Sequence, residues 1–448
     1  MPGEGGLKVV KNSSVGAARS PARIALVAMA GASIEYYDFF IYATAATLVF
    51  PTHFFSRDLP PVVAQLAAFS TFSVGFIARP LGGVLFGHFG DVFGRRRALS
   101  AALIMMGVAT TLVGVLPTYD IAGSFAAVLL VVLRFVQGLA VGGQWGGAAL
   151  LAIENAPSAK RGLYGSFVQM GVPVGIVLAN GAFFVLDAVI SPAAFEAWGW
   201  RLPFLFSVVL ILLGLYVKGR LQDSPGYPEK LERKVSLREA AQESPILVAL
   251  RDHGMTILLA GGAFIASSGC FYLVITYAVG YGVNHAHVAK STMLLAIMLA
   301  SLLMMPALAW FAKLSDRFGR AGIYMLGAAA TGVVSFVLFP VIDTGSALGI
   351  TLVMIASMAT AAMMYGPQAA LFAELFDQRI RYSGASIGYQ IGSILGGGFA
   401  PIIATALYSE FASTTAIATY MAAMCAVSLA CTAALGRRRA VVASESIS

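Results

Sequence analysis

The chain has 448 residues, of which 58% are hydrophobic and 11% charged, against roughly a quarter charged in a water-soluble domain. That balance excludes a soluble globule. Twelve spanning helices of ~20 apolar residues each need roughly 240 to 290 residues, which this chain supplies with short connectors to spare. The formal net charge of +8 raises nucleic acid as a partner, a question decided by where the basic residues sit.

Taken in order, residues 1–23 are polar and carry Lys8, Lys11, Arg19 and Arg23, and the first apolar run contains Glu35 and Asp38. Such a start is a poor cleavable signal peptide and reads as a cytoplasmic arm before a retained first helix. Apolar runs bounded by charge or turn residues follow at about 24–50, 62–86, 98–117, 122–150, 163–189 and 201–219. A second set lies at about 255–281, 290–312, 321–342, 346–373, 384–408 and 413–435, and each run is long enough to cross a bilayer as a helix. The expected fold is an all-α polytopic membrane protein with twelve transmembrane helices in two six-helix halves, residues 24–219 and 254–435. Between them, residues 220–253 are dense in both charge signs and broken by Pro225, Pro228 and Pro245. This is a cytoplasmic linker, either solvated or lying on the membrane as an amphipathic helix over Leu231–Ala241. Residues 436–448 form the tail.

With the N-terminus inside, 24 of the 29 Lys and Arg fall on the cytoplasmic side, which by the positive-inside rule puts both termini in the cytoplasm of a plasma membrane. The basic excess thus orients the chain in its bilayer, and no patch is left for nucleic acid. Cys270, Cys425 and Cys431 all sit in apolar runs and read as small buried hydrophobes rather than a disulfide framework.

The halves repeat. Asp91, Gly94 and Arg95 in GHFGDVFGRRR (87–97) recur 225 residues later as Asp316, Gly319 and Arg320 in AKLSDRFGR. Glu154 before Arg161 recurs as Glu374 before Arg381, and Gln169, Gly171 and Gly175 recur 221 residues later as Gln390, Gly392 and Gly396. Duplication of a six-helix unit is how many secondary transporters are built, with the solute near mid-membrane between the repeats.

The loop GHFGDVFGRRR resembles the signature between helices two and three of the major facilitator superfamily. The segments IEYYDFFIY (34–42), ARPLGG (78–83), RFVQGLAVGGQWGG (134–147), WGWRLPF (198–204) and LFAELFDQRIRYSGASIGYQIG (371–392) resemble its metabolite:proton symporter branch, which includes shikimate, 2-oxoglutarate and proline/betaine permeases. The resemblance covers nearly the whole chain and implies proton-coupled uptake of a small organic solute, a carboxylate or a zwitterion, with the alternating-access fold. It also implies that Gly87, Asp91, Gly94, Arg95, Glu154, Arg161, Asp316, Arg320, Glu374 and Arg381 form a conformational latch at the cytoplasmic face. As topology markers alone, the same basic residues would look no different.

Ionisable groups inside a bilayer are costly and normally face a cavity or a partner, so they are site candidates. Glu35 and Asp38 lie three residues apart on helix 1 and share a face with Tyr42. Two close carboxylates in low dielectric do not easily both ionise, which suits a proton carrier. Arg134 on helix 4 is the candidate anchor for a substrate carboxylate, since its fork binds bidentately and stays charged. Arg79 on helix 2, toward the cytoplasmic side and next to Pro80, reads equally as a structural anchor. All four would form one neutral cluster, made net positive when a carboxylate takes up a proton. The second half has no charge well inside a span, so its share of the cavity is polar-neutral and aromatic: Tyr272, Thr276 and Tyr277 on helix 7, Tyr365 and Gln368 on helix 10, Tyr389 and Gln390 on helix 11. Gln137, Gln144, Trp145, Gln169 and Asn180 are further candidates. Each reads also as packing or interfacial belt.

The chain holds no GxxxxGK[ST], HExxH or CxxC pattern, so an enzyme is not expected. No metal or cofactor is expected beyond the proton as coupling ion, nor any obligatory protein partner. A facilitator or proton antiporter is the rival. Exchangers of the superfamily carry a Gly-Pro pair on helix 5, whereas this chain reads QMGVPVG (169–175), which favours symport.

Overall fold

The computed structural model describes residues 21–93, 95–142, 161–222, 245–376 and 381–445. Within them the chain is almost entirely helical. In the first half, α1 is Pro21–Leu48, α2 Pro61–Phe93, α3 Arg95–Val115 and α4 Ser124–Gly142; α5 runs in two pieces, Arg161–Gln169 and Gly171–Val189, and α6 is Leu202–Gln222. The second half begins with α7, Pro245–Tyr272, which continues through a π-turn at Leu273–Tyr277 into Ala278–Asn284. Then come α8 at Lys290–Phe318, α9 at Arg320–Asp343 and α10 at Ala347–Ala373. Helix α11 spans Arg381–Gly392, a π-turn at Ser393–Gly398 and Ala400–Phe411, and α12 is Thr414–Glu445. Nine helical stretches among the described residues are long and apolar enough to cross a membrane, and shorter apolar helices cover Ser100–Val115 and Gly199–Leu213.

Two boundaries differ from the sequence reading. Residues 87–93 are the last turns of α2 rather than a loop, so Gly87 lies inside a helix, and α3 begins at Arg95. The segment 220–253 is helical at both ends, because Pro245 starts α7. Proline is tolerated in a first turn, where its missing N–H has no partner to lose. The helix then bends at His253, whose backbone angles are non-helical. The proposed interfacial helix over Leu231–Ala241 lies outside the described residues, as do Gly94, Gln144, Trp145 and Glu154.

Helix pairs inside each half approach through glycines, since a bilayer supplies no hydrophobic force between helices and close van der Waals contact must serve instead. A Cβ on Gly82 of α2 would stand 2.0 Å from the Leu139 carbonyl oxygen of α4, and one on Gly142 of α4 would stand 1.9 Å from the Arg79 carbonyl oxygen of α2. The repeated glycines perform the same task in both halves. Gly171 and Gly175 of α5 face the Ala32 and Tyr36 backbone of α1, while Gly392 and Gly396 of α11 face the carbonyls of Gly261 and Ile265 on α7. The sequence repeat is therefore a repeat of packing.

The halves meet where α5 packs on α8 and α10, α2 on α11, and α1 on α7. The Ser73 hydroxyl of α2 donates to the Gly398 carbonyl in the π-turn of α11. Away from the basic end of the bundle, Lys290 at the start of α8 pairs with Asp187 at the end of α5 at 3.3 Å.

Gly82→Val is expected to lose most of its monodisperse detergent-solubilised protein, because its branches meet backbone that cannot yield and overpacking costs ~1–3 kcal/mol or more. Gly322→Ala in α9, where a Cβ meets nothing within 4 Å, is the control and keeps or raises the apparent melting temperature, helix interiors favouring Ala by roughly 0.5–1 kcal/mol.

Candidate functional site

The site is built around Phe39 of α1. The Arg134 guanidinium carbon stands 4.4 Å and the Arg79 guanidinium carbon 4.6 Å from the centroid of this ring. Arg134 is also over Tyr42 at 4.1 Å and Phe72 at 4.8 Å, and Arg79 over Phe76 at 4.3 Å. Aromatic faces attract cations by their quadrupole, worth ~2 kcal/mol when desolvated. Both arginines are buried. The two charges stand within ~9 Å of each other, a distance at which like charges in low dielectric repel strongly.

Local sequence explains the cage. Phe69, Phe72, Phe76 and Arg79 are spaced at three and four residues and so share a face of α2. Gly75 leaves room beside them: a Cβ there would stand 2.6 Å from Arg134 Nε. Arg134 Nη1 donates to Gln137 Oε1 at 3.3 Å, Gln137 Nε2 donates to the Thr110 hydroxyl at 2.8 Å, and the Tyr42 hydroxyl donates to Thr71 at 2.7 Å. Nε and Nη2 of Arg134 and Nε of Arg79 are buried without a hydrogen-bond partner. Buried polar atoms are nearly always paired, so such exceptions call for an explanation.

The single neutral cluster expected from sequence is not formed. Asp38 Oδ1 accepts from the Ser207 hydroxyl of α6 at 2.6 Å, and Oδ2 is buried without a partner. Among the described residues no ion pair joins Asp38 to either arginine. The reason is helical geometry: Asp38 points toward α6, while its neighbour Phe39 and Tyr42 one turn on point toward α2 and α4. Glu35 is half-buried next to Tyr36 and has interactions of its own. Arg79 is the nineteenth residue of the 26-residue span Pro61–Phe86, toward its basic end, and α2 runs on beyond that span to Phe93.

From the second half, Tyr272 reaches the cage, with ring centroids 5.8 Å from Phe39 and 5.1 Å from Phe76. Tyr365 packs on Phe271 and Phe264, and Tyr389 stacks on Phe264 at 4.5 Å. Tyr277 stands apart, in a stack with Tyr281 and Phe339. Asn180 is tied to Thr44 between α5 and α1. Gln169, Thr276, Gln368 and Gln390 are buried with unpartnered polar atoms, Gln368 at both ends of its amide. Phe39, Phe72, Phe76, Thr71 and Ser207 were not singled out from sequence. The phenylalanine spacing ahead of Arg79 carried the signal for the cage; a lone serine on α6 carried none.

At the basic end, Arg320 pairs with Glu374, the residue that follows α10, and with Asp316 of α8. The sequence pairs Glu374 with Arg381, whose side chain lies outside the described residues; among the described residues Glu374 meets Arg320. The side chains of Asp91, Arg95, Arg161 and Arg381 lie outside the described residues.

A profile described as the Major Facilitator Superfamily matches residues 28–397. The chain belongs to this superfamily. Relatives within it include the shikimate transporter of Escherichia coli (strain K12), 39% identical over 91% of this chain and 92% of that protein. The proline/betaine transporter of the same strain is 30% identical over 89% and 80%. Among solved structures, a partially occluded inward-open conformation of the xylose transporter XylE from E. coli aligns with a TM-score of 0.69 and 19% identity, covering 93% of this chain and 97% of that one. The protein is a multi-pass membrane transporter of the superfamily and not an enzyme.

Gly75→Ala pushes a methyl against Arg134 Nε, the end of a flexible side chain, so the fold survives while the cage opens. Uptake per folded molecule should fall about tenfold, ~1.4 kcal/mol. Glu374→Gln removes the acceptor charge from Arg320; it should shift the apparent KM for the solute from one face of proteoliposomes relative to the other, leaving the yield of folded protein unchanged.

Proposed function

We propose that the protein takes up a small organic acid together with a proton across the plasma membrane, with both termini in the cytoplasm. The observation that carries this reading is the pair of buried guanidinium groups with unpartnered nitrogens. A site holding two cations in low dielectric, with no ion pair to Asp38, favours a solute that brings negative charge. An anion at one of the two arginines satisfies its orphaned donor and relieves the repulsion between them. The similarity to the shikimate transporter agrees with a carboxylic acid.

A quaternary ammonium zwitterion is less well served. Aromatic cages bind such cations, but the faces of Phe39 and Phe76 nearest the site already hold Arg79 and Arg134, which repel a third positive group.

Asp38 is the proposed proton carrier. It is buried, away from the arginines, and held by the Ser207 hydroxyl, so gaining or losing a proton there changes the contact between α1 and α6. Because α1 also carries Phe39 and Tyr42, that change reaches the cage through the helix backbone. Symport follows when the loaded carrier moves only with Asp38 protonated.

The test is uptake in proteoliposomes of shikimate, 2-oxoglutarate, citrate, proline and glycine betaine, with and without an inward proton gradient. Wild type should accumulate an acid only with the gradient, and Asp38→Asn should lose accumulation while retaining exchange. Equilibration indifferent to the gradient would make the protein a facilitator; gradient-driven efflux would make it an antiporter.

A further inference from the structure

We infer that Arg79, rather than Arg134, holds the solute carboxylate, and that tyrosine hydroxyls around Arg79 select a compact acid carrying several hydroxyl groups. The inference rests on the carboxylate reading above and assigns its anchor and substrate class.

The two arginines differ in what surrounds them. Every ring on Arg134, and its hydrogen-bonded Gln137, belongs to the first half, and Gly75 presses the backbone of α2 against its Nε. Arg79 instead stands where the halves meet. Tyr272 of α7 packs against the same Phe76 that Arg79 covers, and its hydroxyl faces the guanidinium. Tyr389 of α11 and Tyr36 of α1 also place their hydroxyls near this charge and face one another. The Gly397 backbone brings Ser268 up beside the Tyr272 ring, where its Oγ is buried without a partner. A solute exposed alternately to each side must touch both halves. Tyr272 also interacts with Arg134, but Arg79 is the cation on which Tyr272, Tyr389 and Tyr36 converge from both halves.

The chemistry around it is specific. A guanidinium fork binds a planar carboxylate bidentately. Phenolic hydroxyls both donate and accept, which matches alcohol groups on a solute. The ring of Phe271, packed on Tyr272 at 5.4 Å, gives an apolar wall for a small carbon ring, the usual division of labour in a solute pocket. Arg134 then positions Phe39 and Tyr42 from behind without touching solute.

The experiment is equilibrium binding of tritiated shikimate to purified full-length protein, with cyclohex-1-ene-1-carboxylate, the same acid without hydroxyls, as competitor. Wild type should bind the hydroxylated acid at least tenfold more tightly. Tyr272→Phe and Tyr389→Phe, which keep the rings, should each weaken shikimate about tenfold and leave the deoxy acid unchanged. Arg79→Gln should weaken both acids in parallel, and Arg134→Lys should alter transport rate more than binding. Parallel loss of both acids in the tyrosine variants, or undiminished binding by a monodisperse Arg79→Gln, overturns the inference while leaving acid transport intact. Failure of wild type to bind either acid removes the carboxylate reading itself.

Discussion

Two guanidinium groups buried beside one phenylalanine ring set the terms for the rest of the molecule. Each costs several kcal/mol to desolvate after relaxation, and together they repel. What offsets this is aromatic: Phe39, Tyr42, Phe72 and Phe76 present ring faces to the two charges. Ring faces stabilise a cation without neutralising it. The site therefore keeps its positive potential and its unpartnered nitrogens, which is the condition for attracting an anion and releasing it again. A carboxylate placed directly on either arginine would have satisfied the charge permanently and left little affinity for a solute.

Holding such a cage demands that α2, carrying Phe72, Phe76 and Arg79, lie close against α4, carrying Arg134. Gly82 and Gly142 allow backbone-to-backbone approach there, and Gly75 admits the Arg134 side chain between them. The same device sets α1 against α5 and α7 against α11. In this last case both helices also contain π-turns, at Leu273–Tyr277 and Ser393–Gly398, and the second of these presents the Gly398 carbonyl to Ser73 across the halves. The irregular backbone thus falls where the two halves touch, at places often associated with function.

Much of this was legible in the sequence. The spacing of apolar runs gave all twelve helices, because hydrophobic length is what a bilayer demands. The repeated glycines gave the duplication, and their equivalence is now explained by equivalent contacts. The intramembrane charges pointed to the candidate site, since an arginine within a span is retained for function or for pairing. What failed was the grouping. Asp38 and Arg134 were assigned to one cluster because both are buried charges in the same half, but a single-residue step around α1 separates Asp38, facing Ser207, from Phe39, facing the arginines. Helical periodicity says which residues share a face; it does not say which neighbouring helix that face meets. At the latch, likewise, Glu374 meets Arg320 from another helix, a contact that no spacing along the chain announces.

That separation bears on how a proton and an anion could be coupled. In one neutral cluster, protonation would act on the solute by charge alone, with the two sites competing directly. Here Asp38 and the cage lie on different sides of α1, joined by adjacent residues of one helix. Under the proposed assignment, the proton acts on the contact between α1 and α6, and the anion acts on the rings that α1 contributes beside the arginines. Both ligands then bias the position of the same rigid element, and coupling follows from their shared dependence on where α1 sits. The second half brings Tyr272 and Tyr389 to this element's far side without any buried charge of its own. Under the same proposal its role is to report whether the solute fits, while the first half carries the charge that draws the solute in.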